Sequence, residues 1–179
     1  NALGVIILKS TPVPNMITNS PRCEGQNLTF SGSGGASYQF TGPQNFNSAI
    51  QSNTLFFVNP SNSGVYNLTV TALNNCTASS NLTLVVNPSP TISVLGSTVC
   101  TDQTLALSAQ TFTGSTFQWT GPNGFTATGQ SISLTNVQNN QGGTYSCTVT
   151  VNGCTGPAGT ILITVQPTPT VTATATSPV

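Results

Sequence analysis

Apolar and polar positions alternate along most of this chain. Leu105, Leu107 and Ala109 share one face of an extended segment, with Thr104, Ala106 and Ser108 on the other. Tyr145, Cys147, Val149 and Val151 repeat the pattern, with Ser146, Thr148 and Thr150 pointing outward. A period of two is that of a β-strand with one buried face, and no stretch carries the 3.6-residue period of a helix. Turn-forming clusters punctuate the runs, among them Gly121-Pro122-Asn123-Gly124, Asn139-Asn140-Gln141-Gly142 and Asn152-Gly153. These residue types tolerate the backbone angles that reverse a chain. The expected fold class is all-β.

The pattern also occurs twice. Cys23-Glu24-Gly25-Gln26-Asn27-Leu28 realigns on Cys100-Thr101-Asp102-Gln103-Thr104-Leu105, Tyr38-Gln39-Phe40-Thr41-Gly42-Pro43 on Phe117-Gln118-Trp119-Thr120-Gly121-Pro122, and Gly64-Val65-Tyr66 on Gly143-Thr144-Tyr145. Repetition at near-constant spacing reads as an array of small domains. Leu82-Thr83-Leu84-Val85-Val86 runs into Pro88-Ser89-Pro90, and Ile161-Leu162-Ile163-Thr164-Val165 into Pro167-Thr168-Pro169. The same signature opens the chain, where Val5-Ile6-Ile7-Leu8 precedes Pro12-Val13-Pro14. The expected organisation is therefore the last strand of a preceding repeat over 1–12, one repeat over 13–87, a second over 88–166, and the first strand of a following repeat over 167–179. About seven short strands per copy predict tandem β-sandwiches joined by Pro-x-Pro linkers.

Composition narrows the function. Lys9, Arg22, Glu24 and Asp102 are the only charged side chains, 2% of the chain, and there is no histidine, where ordinary domains carry roughly 25% charge. Recurring aromatic and β-branched residues argue against disorder. Without a basic stripe, nucleic-acid binding lacks its main affinity source, and no apolar run is long enough for a membrane-spanning helix. Acid–base catalysis needs a titratable pair in one cleft, yet Glu24 and Asp102 fall at equivalent positions in different copies. Calcium wants several carboxylates and zinc wants clustered Cys or His. The chain is expected to be no enzyme and to hold no metal and no cofactor.

Two features select among sandwiches. Trp119 in the third strand of its copy, and Gly143-Thr144-Tyr145-Ser146-Cys147 opening the sixth, resemble the buried Trp and tyrosine corner of immunoglobulin domains. Copy one keeps the frame with Phe40 and Tyr66, and Leu68 where copy two has Cys147. Phe40, Trp119, Tyr66 and Tyr145 are thus core markers. The facing positions, Gly32 and Ala109, leave no inter-sheet disulfide, so Cys147 reads as a buried free thiol. Together with Trp-Thr-Gly-Pro-Asn-Gly-Phe, Asn-Gly-Cys-Thr and the Pro-x-Pro linkers, this set resembles the Ig-like tandem repeats of large surface adhesins and filament proteins of Bacteroidota, of the type carried by the type 9 secretion system. The resemblance covers about Val13 to Pro167 and implies an extracellular or cell-surface location. Copy one departs from it at Phe40 and at Gln44-Asn45.

Cys23 and Cys76 recur as Cys100 and Cys154, and paired cysteines in such a chain imply oxidised bridges outside the cytosol. Three readings stay open. Bridges within each copy would join Cys23 to Cys76 and Cys100 to Cys154. On an immunoglobulin path, however, those pairs stand at opposite poles, too far apart for a bond that needs α-carbons within about 7 Å. The favoured reading therefore joins Cys23 to Cys154 between domains and leaves Cys76 and Cys100 to neighbouring repeats. Free thiols are the third reading. Arg22 and Glu24 are expected to form a local ion pair.

The function implied is that of a structural, non-catalytic repeat unit of a bacterial surface filament, stalk or giant adhesin. Its partners would be neighbouring repeats of the same chain or other copies in a filament. The alternative is an adhesion module for a glycan or a surface protein. For that, Phe56 is the ring expected to stand exposed, with Phe57 alternating into the core and Phe46 and Phe125 covering a sheet edge. Asn27, Asn67, Asn75 and Asn81 lie in Asn-x-Ser/Thr triplets, although O-linked sugar suits the suspected origin better.

Overall fold

Each alternating run named above is a strand in the computed structural model, which describes residues 9–174. The chain divides into two units, Asn1–Pro88 and Ser89–Val179. The first contains β1 (Asn15–Thr18), β2 (Arg22–Cys23), β3 (Leu28–Ser33), β4 (Ser37–Gly42), β5 (Phe46–Ser48), β6 (Ser52–Leu55), β7 (Gly64–Thr71), β8 (Thr77–Leu84) and β9 (Val86–Asn87). One sheet runs β1-β3-β6 and the other β5-β4-β7-β8, while β2 lies parallel to β9. The second unit contains β10 (Val94–Leu95), β11 (Val99–Cys100), β12 (Leu105–Ala109), β13 (Thr116–Thr120), β14 (Thr126–Thr128), β15 (Ser131–Leu134), β16 (Gly143–Val151), β17 (Cys154–Thr155), β18 (Gly159–Ile163) and β19 (Val165–Gln166). Its sheets run β10-β12-β15 and β14-β13-β16-β17, with β18 also on β16 and β11 parallel to β19.

Alternation decides what fills each sandwich. Leu28 and Phe30 from β3 meet Tyr66, Leu68 and Val70 from β7 inside unit one, together with Phe40 and Leu84. Unit two repeats this with Leu105 and Leu107, Tyr145, Cys147 and Val149, Trp119 and Ile163. Each such side chain stabilises its unit by about 1.5–3 kcal/mol relative to exposure. The helical content of the described residues is three single turns of 3₁₀ type, Pro60–Asn62, Pro122–Gly124 and Asn139–Gln141.

The segments expected to belong to flanking repeats fall partly within the described residues. The strand expected at Val5–Leu8 lies outside the described residues. Residues 9–14 are not in a strand. They attach to unit one: Lys9 Nζ donates to the Asn74 carbonyl at 3.1 Å, and Asn74 Nδ2 to the Ser10 carbonyl at 3.0 Å. Residues 167–174 carry no strand either, and the remainder of the expected strand at 167–179 lies outside the described residues.

Candidate functional site

The cysteines mark the two ends of each unit. Cys23 closes β2 opposite Asn87 of β9, immediately before Pro88. The pairing is fixed by Arg22 N–H to the Val85 carbonyl at 3.0 Å and Glu24 N–H to the Asn87 carbonyl at 2.8 Å. Cys100 closes β11 opposite Gln166 of β19, immediately before Pro167. Its flanking bonds are the same in kind: Val99 N–H to Thr164 at 3.2 Å and Thr101 N–H to Gln166 at 2.8 Å. Both cysteines therefore sit where the chain leaves a unit.

The other two sit where it enters. Cys154 pairs with Val151 across a two-residue turn in which Asn152 and Gly153 have φ of 49° and 77°. The turn needs left-handed residues, and Asn-Gly supplies them. Nearby, Gly156 lies so close to Pro90 that a β-carbon would overlap the Pro90 carbonyl, which fixes this as the leading end of unit two. Cys76 lies in the turn between β7 and β8, its N–H donating to Asn74 Oδ1 at 3.0 Å, and the same Asn74 holds Ser10. Sequence reasoning passed over Asn74; its only signal was an Asn two residues before a cysteine in a turn, a common short-range hydrogen-bonding geometry.

Opposite ends are far apart. The nine residues of β16 span roughly 25–30 Å at the usual strand rise, with Cys154 beyond one end and the strand's Gly143 paired to Ile163, just ahead of β19, at the other. Cys23 and Cys154 are disulfide-bonded. Cys76 and Cys100 are half-buried free thiols and Cys147 a buried one. The within-copy bridges Cys23–Cys76 and Cys100–Cys154 are accordingly not formed.

Cys147 occupies the apolar slot that Leu68 fills in unit one, both fully buried. Burial pushes its thiol pKa up, against a smaller opposing effect of the Gln118 backbone. Across from Leu68, a β-carbon on Gly32 would lie 2.8 Å from Leu68 Cδ2 and 2.9 Å from Phe40 Cζ. The larger Leu in copy one is thus accommodated by the loss of a methyl opposite it; in copy two the smaller Cys147 goes with Ala109. The remaining core markers are buried with their polar atoms satisfied: Trp119 Nε1 donates to Gly129 at 2.9 Å, Tyr66 OH to Asn62 at 3.0 Å and Tyr145 OH to Gln141 at 2.9 Å. Desolvation raises the pKa of both phenols.

One expectation is corrected. Phe57 does not enter the core: it is 79% exposed and Phe56 68%. The strand ends at Leu55, and Phe57 takes a left-handed φ of 49° that reverses the alternation and sends Val58 inward instead. Arg22 Nε is buried without a hydrogen-bond partner. Phe46 and Phe125 are half-buried lids, Phe46 packing on Phe30 and Tyr66 and Phe125 on Tyr145, with ring centroids 5.4–5.7 Å apart.

Surface hollows offer little for chemistry. One hollow in unit two, about 590 Å³, is lined by Phe112, Phe117, Gln118 and Gln130 among others, with no titratable side chain. Outer-sheet hollows in the two units, at Ile17, Thr29 and Thr54 and at Leu95, Ala106 and Ser133, are equally uncharged. Among the described residues no three His, Cys, Asp or Glu side chains form a group able to hold a metal, and no helix is long and apolar enough to cross a membrane. Asp102 accepts a hydrogen bond from Gln138 Nε2 at 2.9 Å.

No family model and no curated protein matches the sequence. Solved structures do match the fold. A chain from the mouse coronavirus receptor-binding domain complexed with its murine receptor aligns with TM-score 0.53 and 12% identity, covering 86% of this chain and all of the other. The eight N-terminal Ig domains of Down Syndrome Cell Adhesion Molecule align with TM-score 0.51 and 17% identity over 89% of this chain, which spans 25% of that longer one. At such identities the likeness establishes an immunoglobulin-like β-sandwich fold.

Proposed function

We propose that this chain is a structural, non-catalytic part of an extracellular array of immunoglobulin-like units, a stalk, filament or giant adhesin of the Bacteroidota surface type, in which Cys23 and Cys154 form a covalent staple from one unit to the next. The observation that carries this reading is the oxidation pattern. Cys23, at the trailing end of unit one, and Cys154, at the leading end of unit two, are the oxidised cysteines, while their counterparts Cys76 and Cys100 are thiols. Cys76 and Cys100 then await partners in neighbouring repeats. A Pro-x-Pro linker already favours extended backbone, and a tie across the same joint removes most of the remaining bending. An almost uncharged surface offers weak electrostatic opposition to packing against other copies. With two carboxylates in separate units and no histidine, the reading needs no active site.

Nonreducing digestion followed by mass spectrometry should release one peptide pair containing Cys23 and Cys154. Recovery of Cys23 joined to Cys76, or Cys100 to Cys154, would overturn the staple. Cys154→Ser should leave each sandwich folded, because the bridge closes no loop inside a core, yet open Pro88-Ser89-Pro90 to protease.

A second reading, an adhesion module for a neutral glycan or a surface protein, is favoured by the exposed Phe56–Phe57 pair, since aromatic faces are typical contact platforms. Electron micrographs of the native material would separate the two: ordered fibres or stiff rods for the first, isolated flexible particles for the second.

A further inference from the structure

We infer that the hollow of unit two bounded by Phe112, Phe117 and Gln118 is a binding site for a neutral saccharide. The inference is independent of the staple, and it places sugar recognition in unit two, apart from the exposed Phe56–Phe57 pair of unit one.

Copy two departs from copy one at three places around this hollow. The offset between matched residues is 77 at Leu28 and Leu105 but 79 at Tyr38 and Phe117, so two extra residues lie in the connection from β12 to β13. That longer connection carries Thr111 and Phe112 into the wall of the hollow, where copy one has the plain turn Gly34-Gly35-Ala36. Next, Gly129 stands where copy one has Ile50, a large side chain 67% exposed. A β-carbon on Gly129 would meet nothing closer than the Ser131 carbonyl at 3.6 Å, so this side is open. Third, Phe117 replaces Tyr38, whose hydroxyl in unit one donates to the Gly35 carbonyl at 3.0 Å. A hollow beside the Gly34-Gly35 turn of unit one is lined by Ser10, Leu73 and Asn74 among others and has no aromatic ring.

Hydrogen bonds hold these walls in place. Ser115 N–H and Oγ both donate to the Phe112 carbonyl, at 3.3 and 2.7 Å, and Gln110 N–H donates to the Ser93 carbonyl at 3.0 Å. Gln130 Nε2 reaches both Thr111 Oγ1 and the Ala109 carbonyl. The buried Trp119 donates to the Gly129 carbonyl at 2.9 Å. A preformed wall spares a ligand the cost of ordering it.

The lining selects the chemistry of the ligand. Its volume of about 590 Å³ falls within the roughly 300–1,000 Å³ usual for small-molecule sites. Phe112 is half-buried and Phe117 is 8% exposed, so each offers part of a ring as an apolar face. Beside them stand the Thr116 and Thr128 hydroxyls and the Gln118 side-chain carbonyl, which have no hydrogen-bond partner among the described residues. A charged ligand would bury its charge against a wall that carries no opposite charge. A wholly apolar one would strip water from the hydroxyl and amide groups and leave them unpaired. A neutral pyranose meets both demands, with C–H bonds for the ring faces and hydroxyls for Gln118 Oε1, Thr116 and Thr128.

Titration calorimetry tests this on the two-unit chain, using neutral trisaccharides of glucose, mannose, galactose and xylose, with a galacturonic acid trisaccharide as the charged comparison. At least one neutral sugar should bind, and the emission of Trp119, the only tryptophan, should shift with the same dissociation constant. Phe112→Ala should weaken binding about fivefold to tenfold. Gln118→Leu, an exposed substitution that keeps the side-chain size, should weaken it about fivefold. Phe56→Ala should leave it unchanged. The inference is overturned if no neutral sugar binds at millimolar concentration, if the galacturonic acid trisaccharide binds better, or if Phe56→Ala abolishes binding that Phe112→Ala preserves. Should Phe112→Ala lower the denaturation midpoint of unit two, Gln118→Leu decides alone, and undiminished binding in that variant overturns the inference. None of these outcomes bears on the staple, which the Cys23–Cys154 peptide reads separately.

Discussion

The ring of Tyr145 lies directly on Gly121: a β-carbon there would stand 2.6 Å from Tyr145 Cδ1 and Cε1. The same contact recurs between Gly42 and Tyr66, where the gap would be 2.5 Å to Cδ1. The repeated Thr-Gly-Pro tripeptide is therefore a packing requirement of the tyrosine corner. Gly121→Ala should destabilise unit two by about 1–3 kcal/mol through overpacking, read as a lower denaturant midpoint, and Gly42→Ala should do the same to unit one.

Losing the phenol alone tests the other half of that corner. In Tyr145→Phe the ring stays and the hydrogen bond to Gln141 goes, leaving a carbonyl that water can reach only partly. The expected cost is about 1 kcal/mol, measured by chemical denaturation.

Phe57 supplies a substitution that should stabilise. A bulky residue at φ 49° is strained, and its position in unit two is held by Asn136, at φ 54°, a residue that accepts left-handed backbone. Because the Phe57 ring is 79% exposed, little burial is lost in Phe57→Asn. Unit one should gain about 1 kcal/mol, seen as a rise in melting temperature. An unchanged or lower value would mean that the ring contributes contacts in the free protein.

The Cys147 slot should discriminate by polarity rather than by size. Cys147→Val should cost less than about 1.5 kcal/mol, and Cys147→Ser about 1–3 kcal/mol for a buried hydroxyl. In the folded two-unit chain on its own, a thiol reagent should modify Cys76 and Cys100 quickly, and Cys147 only after unfolding.

Alkaline pH should weaken both units. Folding raises the pKa of Tyr66, Tyr145 and Cys147 above their ordinary values of 10.0, 10.0 and 9.0. Raised folded values mean that stability is fully present below the unfolded pKa and is lost as pH climbs through the folded one. Denaturation midpoints should stay level across about pH 6 to 8, where no histidine titrates, then fall above about pH 9 as Cys147 and afterwards the phenols ionise in the unfolded chain.

Sequence periodicity carried the fold because nearly every core residue obeys it: Leu105 and Leu107 inward with Ala106 outward, Tyr145 and Cys147 inward with Thr144 outward. Alternation misled at Phe57, where a left-handed residue shifts the parity by one and no Gly or Asn announces it. The cysteine positions were legible only through topology, since nothing local distinguishes Cys23, which is oxidised, from Cys100, which is not. Asn74 was silent for another reason. Its role depends on residues 9 and 10 folding back onto a turn more than sixty residues away, a contact no local pattern encodes.

The parallel clasp of β11 against β19 bears on load. Tension applied through the chain draws β11 toward its amino end and β19 toward its carboxyl end, so the two slide past one another. The bonds from Val99 to Thr164 and from Thr101 to Gln166 are then strained side by side and must rupture together instead of one after another. Each unit carries this shear latch at the end where the next stretch of chain begins to pull.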